Sequence, residues 1–246
     1  MRWKLIVAAA AVTIFMLAGY TGAAGAATGT RNVTEALLRD GPPDLERPNL
    51  WFRWDTRTGG GVNLTSDFDD PNGAGNTALA LTTNHLTTAK AQLYNTQVAG
   101  TGLGTISALS YNTFHDSATT GFPNGNAALQ LVIDFNGDAA GGFATLTYEP
   151  YLNGTVEADV WQPWETTEGR YYTSREITCG EYTLPSSQGT EEGLDSLADI
   201  AAGCPDAVVG ALGVNIGSNN ANYVVGTDLI HITSGQDDLT WNFGAK

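Results

Sequence analysis

The chain has 246 residues, with 26 acidic against 11 basic side chains and a formal net charge of −15. That balance repels nucleic-acid phosphates and anionic lipid, so neither is an expected partner. Two cysteines without a CxxC pair and three histidines without HxH or HExxH spacing argue against a zinc site.

Residues 1–26 have the pattern of an export signal: Arg2 and Lys4, an apolar run from Leu5 to Leu17, then Ala24 and Ala26 in A-x-A spacing. The run is shorter than the roughly 20 apolar residues that cross a bilayer. Cleavage is therefore expected, with a secreted, extracellular mature chain that begins at Ala27 or Thr28 and does not insert into membranes. Loss of the signal leaves 9 basic against 26 acidic residues, a formal charge of −17. The remaining length suits one β-sandwich domain.

Residues 27–49 read as an N-terminal lead-in, carrying Arg31, Arg39, Arg47 and three prolines, with one helical turn around Thr34 to Leu38. Such a segment is either mobile or laid across the domain. From 50 to 246 the texture changes to short apolar runs separated by Gly, Asn, Asp and Pro, the signature of an all-β sandwich. Strands are predicted at Leu50–Trp54, Ala78–Thr83, Ala89–Tyr94, Ile106–Phe114, Ala128–Phe135, Phe143–Glu149 and Val156–Trp161. Others follow at Arg170–Thr173, Ala207–Val214, Tyr223–Val225, Asp228–Thr233 and Leu239–Phe243. Leu129, Leu131 and Ile133 alternate with Gln130, Val132 and Asp134, so one face of that strand turns inward. Leu239, Trp241 and Phe243 alternate in the same way and place the last strand in the core.

One helix is predicted, over Glu191 to Ala202, from Leu194, Leu197, Ala198 and Ala201 at helical spacing, with Gly203 and Pro205 as stop signals. Cys179 and Cys204 are the only cysteines, and export favours a disulfide between them over two free thiols.

Several pieces carry a family likeness: the Pro71-Asn-Gly-Ala-Gly75 loop before Ala78-Leu-Ala-Leu81, the strand Ile106-Ser-Ala-Leu-Ser-Tyr111, and Leu146-Thr-Tyr-Glu-Pro-Tyr151. To these are added Trp161-Gln-Pro-Trp164, Cys204-Pro-Asp-Ala207 and Asp228-Leu-Ile-His-Ile232. In their order they resemble secreted bacterial β-sandwich proteins of mostly uncharacterised function, similar to concanavalin-like lectins and jelly-roll carbohydrate-binding modules. The resemblance spans roughly residues 50 to 244. It implies a two-sheet antiparallel jelly-roll sandwich with one short helical insertion, and sugar binding without catalysis.

Flat aromatic rings cover the C–H faces of sugars, while carboxylates and Arg bind the hydroxyls. Trp161, Trp164 and Tyr172, with Glu165 and Arg170 close in sequence, supply those types. Trp164 is the expected platform, because Pro163 interrupts ladder pairing beside it and a polar loop follows. Packing of both Trp side chains in the core is the alternative. Asp67, Asp69, Asp70 and Asn72 gather hard oxygen ligands within six residues. Jelly-roll resemblance adds Asp228 on a late strand, together a candidate structural calcium site, with solvated turn carboxylates as the alternative.

A retaining glycosidase on a sandwich needs two facing carboxylates. Glu157-Ala-Asp159-Val-Trp-Gln162 fails at its third acidic position, and Glu149 has no identifiable partner in sequence. The expectation is thus a secreted non-catalytic protein that binds a polysaccharide, glycoconjugate or other extracellular polymer. A structural or cell-envelope interaction protein is the first alternative, and a polysaccharide-acting enzyme the second.

Overall fold

The computed structural model describes residues 27–73, 77–137, 142–186 and 193–244; the expected export signal, Gly75 and Glu191 lie outside them. The strands in chain order are β1 (Thr28–Val33), β2 (Leu38–Asp40), β3 (Trp51–Arg53), β4 (Gly60–Thr65), β5 (Ala78–Thr83), β6 (Ala91–Asn95), β7 (Ile106–His115), β8 (Ala128–Asp134) and β9 (Phe143–Tyr148). A single turn, α1 (Pro150–Asn153), precedes β10 (Trp161–Glu165), β11 (Arg170–Thr173), β12 (Ile177–Cys179), β13 (Tyr182–Leu184) and β14 (Asp195–Ser196). The chain closes with α2 (Leu197–Gly203), β15 (Val208–Ile216), β16 (Val224–Ser234) and β17 (Asp237–Phe243).

These form a two-sheet jelly-roll sandwich. One sheet has eight strands in the order β14-β11-β9-β8-β15-β6-β3-β2, the other has seven, and β12 and β13 make a separate hairpin. The inner faces supply the core in the predicted alternation: Leu129, Leu131 and Ile133 from β8 meet Leu239, Trp241 and Phe243 from β17, all in one apolar cluster. Trp51 packs edge-on against Trp241 and Phe243, at 5.7 and 5.0 Å between ring centroids.

The seven-stranded sheet forks at β16. One edge of this strand pairs with β7, while the other is divided between β5 over Val224–Thr227 and β17 over Ile230–Ser234. At the junction the register against β7 shifts, and Leu229 takes a left-handed φ of 49°. Such a bulge re-aims the residues beside it. Asp228 fills the gap in the ladder, its Oδ1 accepting the backbone N–H groups of Leu229 and Phe243 at 2.6 and 2.8 Å.

Four expectations change. The lead-in is built into the sandwich: β1 lies parallel to β17 and β2 parallel to β3, the two departures from antiparallel pairing among the described strands. The strand expected at Val156–Trp161 instead starts at Trp161, because Asp159 turns to a φ of 61° and its backbone N–H bonds the His115 carbonyl. The segments Tyr223–Val225 and Asp228–Thr233 are one continuous strand, β16. The helix begins at Leu197, where Ser196 Oγ accepts the Asp199 N–H at 3.0 Å as an N-cap. Residues just before it pair with β11 as β14.

Cys179, at the end of β12, is bonded to Cys204, just past α2, as expected. The bridge spans 25 residues, for which loop-closure entropy gives about 3 to 4 kcal/mol. Replacing both cysteines by serine is expected to lower the unfolding free energy by that amount and to raise the denaturant slope, because the unbridged unfolded chain exposes more surface; an unchanged free energy would mean the helical insertion is held by its packing alone.

Candidate functional site

The five residues expected to hold a sugar do not converge. Strand β10 is an edge strand paired to β7 on one side, so Pro163 sits inside it without costing a ladder bond. The strand therefore continues, and its alternation sends Trp164 inward opposite Tyr111. Trp164 is only 8% exposed; its Nε1–H donates to Thr113 Oγ1 at 2.8 Å and its ring packs on Tyr148. Trp164 is thus a core residue, a correction to its reading as an exposed platform. Trp161 lies on the opposite face in a small cluster with Phe68 and Phe114, its Nε1–H donating to the Asp69 carbonyl. Glu165 is exposed on the seven-stranded sheet, and Arg170 reaches the Leu194 carbonyl from the start of β11. Only Tyr172 faces the site described next.

Away from the core, the eight-stranded sheet carries a polar strip. Register places Tyr172, Thr147, Gln130, Gly213 and Tyr94 in one row across β11, β9, β8, β15 and β6. Tyr94 Oη donates to Gln130 Oε1 at 2.5 Å, and Gln130 Nε2 donates to Thr147 Oγ1 at 3.2 Å. The row needs glycine at 213, since a Cβ there would stand 2.2 Å from the Tyr94 ring. In the adjacent row Asn215 Nδ2 donates to Gln92 Oε1 at 3.5 Å.

At one end, beside Asn215, the strip opens into a pocket of about 60 Å³. Phe122 and Tyr151 meet edge-to-face at 5.2 Å on its rim, and Phe122 is 46% exposed. Asn126 lines the pocket from the end of the same loop. It is 4% exposed; its Oδ1 accepts the Ala127 N–H, while its buried Nδ2 has no partner. Glu149, between β9 and α1, also lines the pocket and accepts a hydrogen bond from Tyr172 Oη at 3.1 Å. Desolvation pushes its carboxyl up to about 7, against the lowering effect of that hydrogen bond. Proximity to Glu149 adds to the desolvation that raises the Tyr172 hydroxyl far above its ordinary value.

This arrangement offers an apolar wall, a buried amide donor and a carboxyl that changes charge near neutrality. Among the described residues Glu149 is the one carboxyl lining it. Sequence reasoning missed Phe122 and Asn126. The available signal was a large aromatic inside the turn-forming run Thr120-Gly-Phe-Pro-Asn-Gly125, where a core position is improbable on composition alone.

Of the five candidate calcium ligands, the fold brings together Asp70 and Asp228. Both are buried, and each keeps one carboxylate oxygen, Oδ2, without a hydrogen-bond partner. Burial pushes Asp228 up to about 7, its two backbone hydrogen bonds oppose the shift, and the charge of Asp70 adds to it. Asp67 and Asp69 stay exposed, and the Asn72 N–H donates to Asp70 Oδ1 at 2.9 Å. Among the described residues no group of three or more His, Cys, Asp or Glu side chains is placed to hold a metal.

Among the described residues no helix is long and apolar enough to cross a membrane. No family model matches the chain, and neither does any curated protein. Solved structures with some likeness include two family 11 carbohydrate-binding modules from Clostridium thermocellum. One, in complex with a β-1,3-1,4-mixed-linked tetrasaccharide, is 11% identical; the match covers 72% of this chain and 83% of that one, with a TM-score of 0.38. The other, from a cellulosomal cellulase, is 12% identical over 73% of this chain and 82% of that one, with a TM-score of 0.40. Values this low describe a general outline and bear on neither ligand nor site.

Proposed function

We propose that the protein is a secreted, non-catalytic glycan- or extracellular-polymer-binding β-sandwich whose site is the pocket beneath Phe122 on the outer face of the eight-stranded sheet. The observation that carries this reading is the unpartnered amide of Asn126 beside Glu149, under two aromatic rings. An unsatisfied buried donor costs about 1 to 3 kcal/mol, a cost that a hydroxyl oxygen of a bound sugar removes. Sugar hydroxyls both donate and accept, which suits a carboxyl and an amide together, while the rings take the C–H face. The disulfide supports an oxidising, extracellular setting.

A structural calcium ion is part of the proposal. Calcium takes six to eight oxygens, and the free Oδ2 atoms of Asp70 and Asp228 are two carboxylate ligands held in a buried position.

Retention of the mature protein on insoluble polysaccharides, with a glycan array to find the ligand, tests the site. Phe122→Ala removes an exposed ring, so stability is expected to stay within about 0.5 kcal/mol while affinity falls about tenfold or more. Binding that survives both Phe122→Ala and Glu149→Gln places the ligand elsewhere. Absence of binding to any glycan favours the structural or cell-envelope alternative.

A further inference from the structure

The first described residue makes a contact that the folded sandwich does not need for its core. The Ala27 backbone nitrogen donates to Asp237 Oδ1 at 2.7 Å, and the Ala27 carbonyl accepts the Asp238 N–H at 2.9 Å. From there β1 runs parallel to β17, with Thr28 beside Asp238 and Val33 beside Phe243. The A-x-A spacing of Ala24 and Ala26 ends at the residue before this nitrogen.

We propose that the export signal is cut between Ala26 and Ala27, and that the α-ammonium so created forms an ion pair with Asp237 that fastens the first strand to the last. The proposal rests on the export reading. Water adds across the Ala26–Ala27 peptide bond in the hands of a signal-cleaving protease. The hydroxyl goes to the Ala26 carbonyl, whose new acid loses its proton, and the Ala27 amine takes up a proton. An amide N–H facing a carboxylate becomes a cation facing it, which adds the attraction of opposite charges to the hydrogen bond already present. An α-amino group has an ordinary pKa of about 7.7 to 8.0, so it is charged at neutral pH. Cleavage one residue later, which the small residues Gly25 and Ala27 also allow by size, loses both the donor to Asp237 and the carbonyl that holds Asp238.

Two measurements test this. Amino-terminal sequencing of the exported protein is expected to read Ala-Thr-Gly-Thr; a start at Thr28 overturns the ion pair, and an uncut chain overturns the export reading itself. Separately, protein that starts at Ala27 is compared with protein carrying Gly-Ser before it, each with Asp237 intact and as Asp237→Asn. The Ala27 start is expected to melt about 2 to 4 °C higher with Asp237 intact, a shift of the size seen for modest stabilisation in domains of this length. Asp237→Asn is expected to abolish the difference, because it keeps an acceptor and removes the charge. The same difference in both backgrounds, or none with Asp237 present, overturns the proposal.

Discussion

Replacing Trp164 by alanine is expected to cost about 3 to 5 kcal/mol of folding stability, the usual range for a buried Trp truncated in a core. The ring lies between the sheets against Tyr148, beneath Gly154, whose position would put a Cβ 3.1 Å from Trp164 Cζ3. Truncation leaves a cavity and strips Thr113 Oγ1 of its indole donor. Chemical denaturation of the variant reads the loss as a lower midpoint at similar slope. Below its melting temperature the variant is expected to keep wild-type retention on polysaccharide, since Trp164 does not line the Phe122 pocket. A variant with wild-type stability and no binding would restore Trp164 as a sugar platform.

The second large effect concerns Asp228 and runs with pH. Burial lifts its pKa from 3.8 to about 7, so the folded protein holds this proton more tightly than the unfolded chain does. The sign follows: protonation stabilises the fold fully below about pH 4, and this contribution is lost as pH rises to about 7. With about 1.4 kcal/mol per pKa unit, the loss is on the order of 4 kcal/mol. Glu149 works in the same direction over the same upper limit. Calcium opposes the effect, because a cation between Asp70 and Asp228 favours both ionised forms. At a hundred times its dissociation constant a ligand adds about 2.7 kcal/mol. Melting temperatures measured from pH 4 to 8 are therefore expected to fall in chelator and to flatten with excess calcium. Asp228→Asn is expected to reduce the slope in chelator and to remove the response to the metal. Equal curves with and without calcium after exhaustive chelation would leave the pair as a proton-holding junction.

Much of the fold was legible because period-2 alternation survives wherever a strand has one wet face. Arg170–Thr173 appears at the predicted residues, and Leu129, Leu131 and Ile133, like Leu239, Trp241 and Phe243, face inward as expected; Ala78–Thr83, buried on both faces, was legible instead as a short apolar run. The lead-in was opaque for a physical reason. An edge strand such as Thr28–Val33, exposed at all but its last residue, has no apolar period to read, and its pairing is fixed by a partner more than 200 residues away. Gly226 and Thr227, between two apolar runs, read as a break and split one long strand, β16, into two apparent ones. Trp164 misled because proline reads as a ladder breaker in sequence, whereas on an edge strand its missing N–H has no partner to lose. Phe122 and Asn126 share the loop before β8, whereas Glu149 follows β9, so their meeting depends on tertiary packing that no local pattern encodes. The pairing of the two cysteines was legible because only one pairing within the chain exists.

The parallel seating of β1 against β17 also sets how the molecule bears load. With Thr28 beside Asp238 and Val33 beside Phe243, the two ends of the described chain leave the seven-stranded sheet in opposite directions. A pull applied between them acts along both strands at once, shearing all the paired positions together instead of unzipping them singly.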